Sequence, residues 1–127
     1  MRTPREVAES YWSAECQRDI VAIMAHYLPD ATYQDGAGHL EGQDAIRGYY
    51  EASIRDFPAL EVTIQREFIA SPDSSALEVH AVLTDHEGKR SVIEGLIAIT
   101  VRDGRLHHIR CYEDPLRPES DGGVEAR

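Results

Sequence analysis

The spacing of hydrophobic residues changes near the middle of the chain. Before Pro58 they recur at intervals of three and four, and after it they alternate with polar residues. Thr3 and Glu6 have the spacing of a capping box, which marks the start of a helix. The first part predicts three helices: residues 4 to about 18, a second that Asp19 caps and Pro29 ends, and residues 43–57.

The remaining pattern predicts strands joined by tight turns. Leu60, Val62 and Ile64 are apolar at every second position, and Asp103-Gly104 is a strong hairpin signal. The predicted strands are residues 31–34, one that begins near Leu60, and residues 76–84, 91–101 and 105–112. Residues 91–101 have little polarity on either face, which indicates a central strand.

Helices that precede a run of hairpin-connected strands predict an α+β fold. We expect three N-terminal helices packed on a curved, mostly antiparallel sheet, forming a cone with an internal pocket. Such a pocket is a common place for a small-molecule site. Residues 1–114 are predicted to form one domain. Two prolines and an Asp-Gly-Gly run predict a flexible tail over residues 115–127.

Charge narrows the classes of partner. The formal net charge is −10, and the sequence contains no basic patch, so nucleic acid and anionic membrane surfaces are excluded. No apolar run is long enough to span a bilayer, and the first residues lack a hydrophobic signal region, which predicts a cytoplasmic protein. Cys16 and Cys111 have no metal-type spacing and are predicted to be core residues, so no metal site is expected.

Three stretches of the first half resemble a known superfamily. They are residues 19–23 (DIVAI), 27–35 (YLPDATYQD) and 40–46 (LEGQDAI). Together with the order of elements, they resemble the nuclear transport factor 2-like superfamily (cystatin-like cone), in its SnoaL-like and ketosteroid-isomerase-like branch. The resemblance covers roughly residues 6–113. It is specific for the fold and says little about the substrate.

The resemblance to ketosteroid isomerases implies roles for four residues. The offsets from Asp19 to Tyr11 and to Asp35 agree with the isomerase pattern. The resemblance therefore implies that Asp35 is the base and that Tyr11 donates a hydrogen bond to the substrate oxyanion. It also implies that Tyr27 and Tyr50 support Tyr11 from behind.

The sequence departs from the isomerase pattern at one position. These isomerases place a second, protonated aspartate on the central strand, where this chain has Ile97. Half of that oxyanion hole is therefore missing. SnoaL-like cyclases use an acid near the end of a late strand, and Asp114 lies near that place as an alternative acid. The Asp-Arg-Asp set of epoxide hydrolases of this fold has no counterpart on the central strand.

Each implied role competes with a purely structural one. Asp35 precedes Gly36, and Asp-Gly is ordinary turn chemistry, so the carboxylate is either a turn former or a base. A carboxylate in an apolar pocket has its pKa raised and can then take and return a proton. Tyr11 is either a core aromatic residue or a donor to an enolate oxygen. Tyr27 and Tyr50 are core residues that could also orient Tyr11.

Six further residues are predicted to line the pocket and contact the substrate. His80 is either a second acid or base near neutral pH or a histidine that faces solvent or a dimer partner. Gly95 relieves crowding or permits a bend in the long strand. The predicted lining residues are Trp12, Phe57, His80, Val82, Ile97 and Ile109.

The sequence therefore predicts a small-molecule isomerase or cyclase that transfers a proton on an apolar, steroid-like or polyketide-like carbonyl compound. The alternative is a non-catalytic ligand-binding or assembly module of the same fold. No metal or organic cofactor is implied. A homodimer is expected from the family habit and from the two apolar faces of residues 91–101.

Overall fold

The computed structural model describes residues 2–119 as three helices and a seven-stranded sheet. The helices are α1 (Pro4–Cys16), α2 (Ile20–Met24) and α3 (Gln43–Asp56). The strands are β1 (Tyr27–Asp35), β2 (Gly38–Glu41), β3 (Ala59–Ser71), β4 (Ser74–Thr84), β5 (Arg90–Arg102), β6 (Arg105–Glu113) and β7 (Arg117–Pro118). The predicted α+β cone, with three helices on a curved and mostly antiparallel sheet, is confirmed.

The sheet follows the order β2-β1-β6-β5-β4-β3, and β7 pairs with β5 beyond the end of β6. The strands pair antiparallel, except that β1 runs parallel to β6. This parallel pair places the end of β1 beside the second half of β6, with Tyr33 opposite Ile109. The carboxyl ends of β1 and β6 are therefore neighbours.

Local sequence explains how the helices begin. Thr3 and Glu6 form the predicted capping box, with Thr3 Oγ1 accepting from the Glu6 amide at 3.1 Å and Glu6 Oε1 accepting from the Thr3 amide at 2.8 Å. Asp19 caps α2 by accepting from the Ala22 amide at 3.1 Å. The apolar faces of α1 and α3 pack on the sheet and bury Val7, Ile46 and Tyr50.

The second helix is shorter than predicted. It ends at Met24, and the predicted helical residue Tyr27 begins β1 instead. The His26 ring lies within hydrogen-bond distance of the Ala22 carbonyl at 2.7 Å and of Ser10 Oγ at 2.8 Å, which holds the chain where it leaves the helix. Pro29 lies inside β1, at a register shift in the pairing with β6 where its missing amide hydrogen is tolerated.

Two short strands were not predicted. Gly36 and Ala37 form the turn of a tight hairpin, so residues 38–41 return along β1 as β2. In the predicted flexible tail, Arg117 and Pro118 pair with Val92 and Ser91 of β5, which corrects the prediction for these residues. The part of the predicted tail from residue 120 onward lies outside the described residues. Within residues 2–119, no helix is long and apolar enough to cross a membrane.

Candidate active-site cavity

A cavity of about 90 Å³ lies between the helices and the inner face of the sheet. Its wall is mostly aliphatic and aromatic, with polar atoms supplied by tyrosines, Ser53 and two glutamates. The helices contribute Ala8, Tyr11, Trp12, Glu15, Tyr49, Tyr50 and Ser53. The strands contribute Tyr33, Leu60, Val62, Val79, Ala81, Leu83, Ile93, Ile97, Ile99, Leu106, Ile109, Cys111 and Glu113.

Three tyrosine hydroxyls form a chain that leads into the cavity. The Tyr50 hydroxyl is hydrogen-bonded to the hydroxyls of Tyr27 and Tyr11. Tyr27 is fully buried at the inner end of this chain, while Tyr50 and Tyr11 reach the cavity wall. Burial raises the pKa of all three phenols well above the ordinary value, so they remain protonated hydrogen-bond donors.

A second aromatic pair lies on the other side of Tyr50. The Tyr33 hydroxyl donates to the Tyr49 hydroxyl at 3.0 Å, and their ring centroids are 4.7 Å apart. Cys111 Sγ lies 3.5 Å from the Tyr33 hydroxyl, and burial, followed by the charge of Glu113, raises the pKa of this thiol to about 12. Cys111 is therefore an unreactive core thiol, as predicted.

Glu15 is the most deeply placed carboxyl group in the wall. It follows Tyr11 by four residues on α1, so the two side chains are neighbours on one face of the helix. Only 13% of its side chain is exposed, and the nearest cation is Arg18 Nη1, 3.7 Å from Glu15 Oε1. Burial raises the pKa of Glu15 more than the Tyr11 hydroxyl and the Arg18 charge lower it.

Glu113 brings a second carboxyl group to the open end of the cavity. It ends β6 directly opposite Gly95 of β5, and a Cβ at Gly95 would lie 2.9 Å from Glu113 Cγ. The bare glycine thus leaves the room that the Glu113 side chain occupies. Although the residue as a whole is solvent-accessible, partial burial of its carboxyl group raises its pKa, and the negative charges of Asp35 and Glu15 raise it further.

Asp35 lies at the rim and not in the cavity wall. It points to the same side of β1 as Tyr33, which does line the cavity. Its charge raises the pKa of both Glu113 and Cys111, so it lies near the open end. Asp35 Oδ1 accepts hydrogen bonds from the amides of Ala37 at 2.8 Å and Gly38 at 3.2 Å. The carboxylate therefore forms the turn, and its second oxygen has no hydrogen-bond partner among residues 2–119.

His80 and Val82 face away from the cavity, so the prediction that they line it is corrected. The inner face of β4 carries Val79, Ala81 and Leu83, and the residues between them point to the other side of the sheet. There the His80 ring lies 2.9 Å from Glu94 Oε2. The strand register, which the sequence did not specify, decided this outcome.

Phe57 and Asp114 are also outside the cavity wall. Phe57 ends α3, and its carbonyl accepts from Arg18 Nε at 3.1 Å. Asp114 lies one residue beyond β6 on the outer face of the sheet, where its amide donates to the Glu94 carbonyl at 2.9 Å. The carboxyl group that β6 turns toward the cavity is that of Glu113.

The predicted residues Trp12, Ile97 and Ile109 lie in the cavity wall, with Ile97 and Ile109 almost fully buried. The structure thus brings Tyr11, Tyr50 and these three residues together, with Tyr27 directly behind them. Within the described part of the chain, no group of three or more His, Cys, Asp or Glu side chains is placed to hold a metal ion.

Five polar wall residues are absent from the sequence-based prediction: Glu15, Tyr33, Tyr49, Ser53 and Glu113. The helical spacing of Tyr11 and Glu15 was a signal, because it puts a carboxyl group on the apolar stripe of an amphipathic helix. The alternation of β1 likewise puts Tyr33 on the same face as Asp35. Glu113 could not be separated from Asp114 without the exact end of β6.

Comparison with solved structures shows the fold. A ketosteroid isomerase (Δ5-3) from Mycobacterium sp. aligns with a TM-score of 0.78 and 20% identity, covering 87% of this chain and 93% of that chain. SalBIII, an epoxide hydrolase/cyclase-like enzyme of pyran ring formation in the polyether salinomycin, aligns with a TM-score of 0.80 and 18% identity, covering 91% and 95%. A Mycobacterium tuberculosis protein in complex with estradiol-17β-hemisuccinate has a TM-score of 0.76 and 22% identity, covering 87% and 94%.

A comparison with curated proteins found no match. The family model of the SnoaL-like domain matches residues 8–109. This range runs from α1 to the second half of β6 and contains the tyrosine chain, Asp35 and most of the cavity wall. The chain therefore belongs to the SnoaL-like domain family.

Proposed function

We propose that this protein is a cofactor-independent isomerase or cyclase that moves a proton on a small, apolar carbonyl compound. The observation that carries the proposal is the combination, in and around one apolar cavity, of a protonated tyrosine hydroxyl with two carboxyl groups at the open end. Isomerase and cyclase relatives of the same fold support the reaction class. Their low identity leaves the substrate to be decided by experiment.

Tyr11 is the proposed donor to the substrate oxygen. Tyr50 and Tyr27 lie behind it. When Tyr11 donates its proton to a hydrogen bond with the ligand, Tyr50 can donate to Tyr11, and Tyr27 can donate to Tyr50. A donor fixed in an apolar cavity stabilises the negative charge that develops on a carbonyl oxygen during enolisation. The raised pKa of Tyr11 keeps this proton on the phenol at neutral pH.

Asp35 is the proposed base and Glu113 its acidic neighbour. Two carboxyl groups that share one region do not both ionise easily, and the one with the raised pKa retains its proton. Two backbone amides donate to one oxygen of Asp35 and leave the other free to accept a proton, whereas burial and neighbouring charge raise the pKa of Glu113 and favour its protonated form. Asp35 would remove a proton from the carbon beside the carbonyl, and either carboxyl group would deliver one to the new position.

Cavity size restricts how a substrate binds. An engineered cavity of roughly 150 Å³ accepts one benzene molecule, and this cavity has about 90 Å³. Only the carbonyl-bearing end of a steroid-like or polyketide-like compound would enter, and side chains of the wall would move to admit a ring. Trp12 and Tyr49 are the partly exposed aromatic residues of the wall, and we propose that their side chains move to admit the ring.

The test is turnover of β,γ-unsaturated ketones of increasing size, followed by the absorbance of the conjugated product. We expect D35N to lower kcat by at least about 100-fold, the contribution typical of a general base. D44N changes an aspartate in the first turn of α3 and is the matched control. Turnover by D35N at the rate of the unsubstituted protein would remove Asp35 from the mechanism.

A non-catalytic ligand-binding protein is the second candidate, because Asp35 is at the rim and Ile97 occupies the expected place of the second acid. A computationally designed 17-OHP binder shares the fold with a TM-score of 0.78 and 20% identity, covering 87% of this chain and 93% of that chain. Saturable binding of a ketone, with no turnover by the unsubstituted protein across the panel, would favour this candidate.

A further inference from the structure

Glu15 and Tyr11 place two oxygen-bearing groups side by side in the cavity wall. They are separated by one helical turn of α1, and both line the cavity. The Glu15 side chain is 87% buried, since 13% of it is exposed. Among the wall residues that the strands supply, only Tyr33 carries a hydroxyl group, so most hydroxyl groups of the wall come from the helices.

The only cation among the described groups that influence Glu15 is Arg18, which lies at ion-pair distance from it but gives its hydrogen bonds to other groups. Its nitrogens donate to the carbonyls of Phe57 and Glu15 and to Ser53 Oγ at 3.1, 3.2 and 2.9 Å. The 3.7 Å approach to the Glu15 carboxyl group is an ion-pair distance and not a hydrogen bond. The other titratable groups around Glu15 are Tyr11 and Cys16 on α1, Tyr27 on β1, Tyr49 and Tyr50 on α3, and Cys111 and Glu113 on β6.

Counting hydroxyl protons shows why the protonation of Glu15 matters. The chain Tyr27–Tyr50–Tyr11 holds three protons, and the hydrogen bonds between its hydroxyls use two of them. An ionised Glu15, whose pKa the Tyr11 hydroxyl lowers, would attract the third. In that state Tyr11 has no proton to donate to a ligand. When Glu15 is protonated, it needs no donor, and the Tyr11 proton is free to point into the cavity beside a second O–H group.

We infer that protonated Glu15 is a second hydrogen-bond donor, beside Tyr11, to the oxygen of a bound enolate or phenolate. The inference rests on the proposed function and deepens it, because it assigns a second donor to the substrate oxygen, in place of the acid that Ile97 replaces. The donor comes from α1 and not from β5, where Ile97 offers only hydrocarbon. Burial, which raises the pKa of Glu15, favours the protonated form.

The test measures binding of para-nitrophenolate, whose visible absorbance reports its ionised form, from about pH 5 to about pH 9. Affinities are expressed per phenolate ion, so that ionisation of the probe itself does not enter. The variants are E15Q, whose amide is a permanently neutral donor, and E15A, which has no donor. E9Q removes an exposed carboxyl group from the same helix and is the control. Circular dichroism establishes that each variant is folded.

We expect the affinity of the unsubstituted protein for phenolate to fall at least about 10-fold as Glu15 ionises, because a donor becomes a repelling charge. E15Q should bind with little dependence on pH, and E15A should bind about 10-fold more weakly than the unsubstituted protein at the acid end. E9Q should follow the unsubstituted protein. The contrast between glutamine and alanine separates a donor from a merely space-filling side chain.

Three results would overturn the inference. E15A could bind as tightly as the unsubstituted protein, E15Q could show the same fall with pH, or the unsubstituted protein could bind no phenolate at any pH. The second result would assign the pH dependence to Glu113 and not to Glu15. Because no turnover is measured, phenolate binding of the expected kind by a protein that isomerises nothing would overturn the proposed function and leave Glu15 as a donor.

Discussion

Tyr50 holds two buried hydroxyl groups in place with one of its own. Its hydroxyl contacts those of Tyr11 and Tyr27, and its ring packs edge-on against Tyr11 with the centroids 6.1 Å apart. All three tyrosines of the chain are buried, so a lost hydrogen-bond partner is costly there. A single oxygen atom therefore supports both the stability of the core and the direction in which the Tyr11 proton points.

Removal of that oxygen tests its role in stability. Y50F should lower the free energy of unfolding by about 1–3 kcal/mol, because two buried hydroxyl groups lose their partner. Y112F removes a hydroxyl from a tyrosine that is 54% exposed and should change stability by less than about 0.5 kcal/mol. Urea denaturation measures both. Equal stability of Y50F and the unsubstituted protein would show that the chain contributes nothing.

The raised pKa of Glu15 predicts how stability changes with pH. The folded protein favours the protonated carboxyl group, so this contribution is fully present below the ordinary pKa of about 4.3 and is lost as pH rises through the raised value. E15Q lacks the titration. The melting temperature of E15Q should therefore rise relative to that of the unsubstituted protein between about pH 4 and about pH 8. A difference that is constant or shrinks over this range would contradict the shift.

At the residue scale, the sequence predicted some positions and failed at others for a physical reason. The resemblance to ketosteroid isomerases indicates Tyr11 and Tyr50, and regular helical spacing puts each of them on the apolar side of its helix. His80 and Asp114 were assigned to the cavity wrongly because a strand changes face at every residue, so an error of one position moves a side chain across the sheet. Glu15 could not be predicted as a wall residue because a glutamate on a helix is usually exposed.

Gly95 is where two elements come unusually close. A Cβ at this position would lie 2.5 Å from the Tyr112 carbonyl oxygen and 2.8 Å from Glu113 Cα, so β5 and β6 could not keep their present separation. The contact lies directly opposite Glu113. The glycine therefore lets the end of β6 lie against β5 and positions the Glu113 carboxyl group at the mouth of the cavity.

Two glycine-to-alanine changes should have opposite effects. G95A should lower the free energy of unfolding by about 1–3 kcal/mol, because backbone atoms must move apart. G48A lies within α3 with nothing within 4 Å of the new methyl group and should raise it by about 0.5–1 kcal/mol. Chemical denaturation of the two variants measures the contrast. A G95A protein as stable as G48A would mean that β6 shifts without cost.

At the element scale, long periodic segments were predicted well and short ones were not. The first and third helices and the four long strands carry enough repeats for their periods to be recognised. β2 has four residues and β7 has two, and both exist because neighbouring backbone pairs with them. The end of α2 depends on contacts of His26 with residues of two helices, which no local pattern contains.

The outer face of the sheet matters for the molecule as a whole. Phe68 and Tyr112 are 47% and 54% exposed there, and they lie around the same shallow groove over β4 and β5. Exposed aromatic groups of this kind are typical of protein contacts. We therefore expect a homodimer that forms through this face.

The association state can be measured directly. Analytical ultracentrifugation should give the mass of a dimer for the unsubstituted protein, and Y112E should shift it toward monomer because a charge enters an apolar contact. Val21 is 71% exposed on α2 and is not one of the residues that line this groove, so V21E is the control. A monomer mass for the unsubstituted protein would contradict the dimer.

The cone and its inner cavity were predictable because binary patterning specifies which faces are buried. The volume of about 90 Å³ and the identity of the carboxyl groups were not, because both depend on strand register and on one close contact at Gly95. Family membership leaves the chemistry open, since the same fold supports different sites.

Proton exchange on a ketone is the simplest assay of the proposed proton transfer. A saturated cyclic ketone in D2O is incubated with the protein, and NMR follows the loss of the protons on the carbons beside the carbonyl group. The assay does not require that the natural substrate be known. We expect catalysed exchange by the unsubstituted protein, a rate at least about 100-fold lower in D35N and a rate about 10-fold or more lower in Y11F. Exchange by D35N and Y11F that is as fast as exchange by the unsubstituted protein would contradict the proposed proton transfer. So would exchange by the unsubstituted protein that is no faster than in buffer alone.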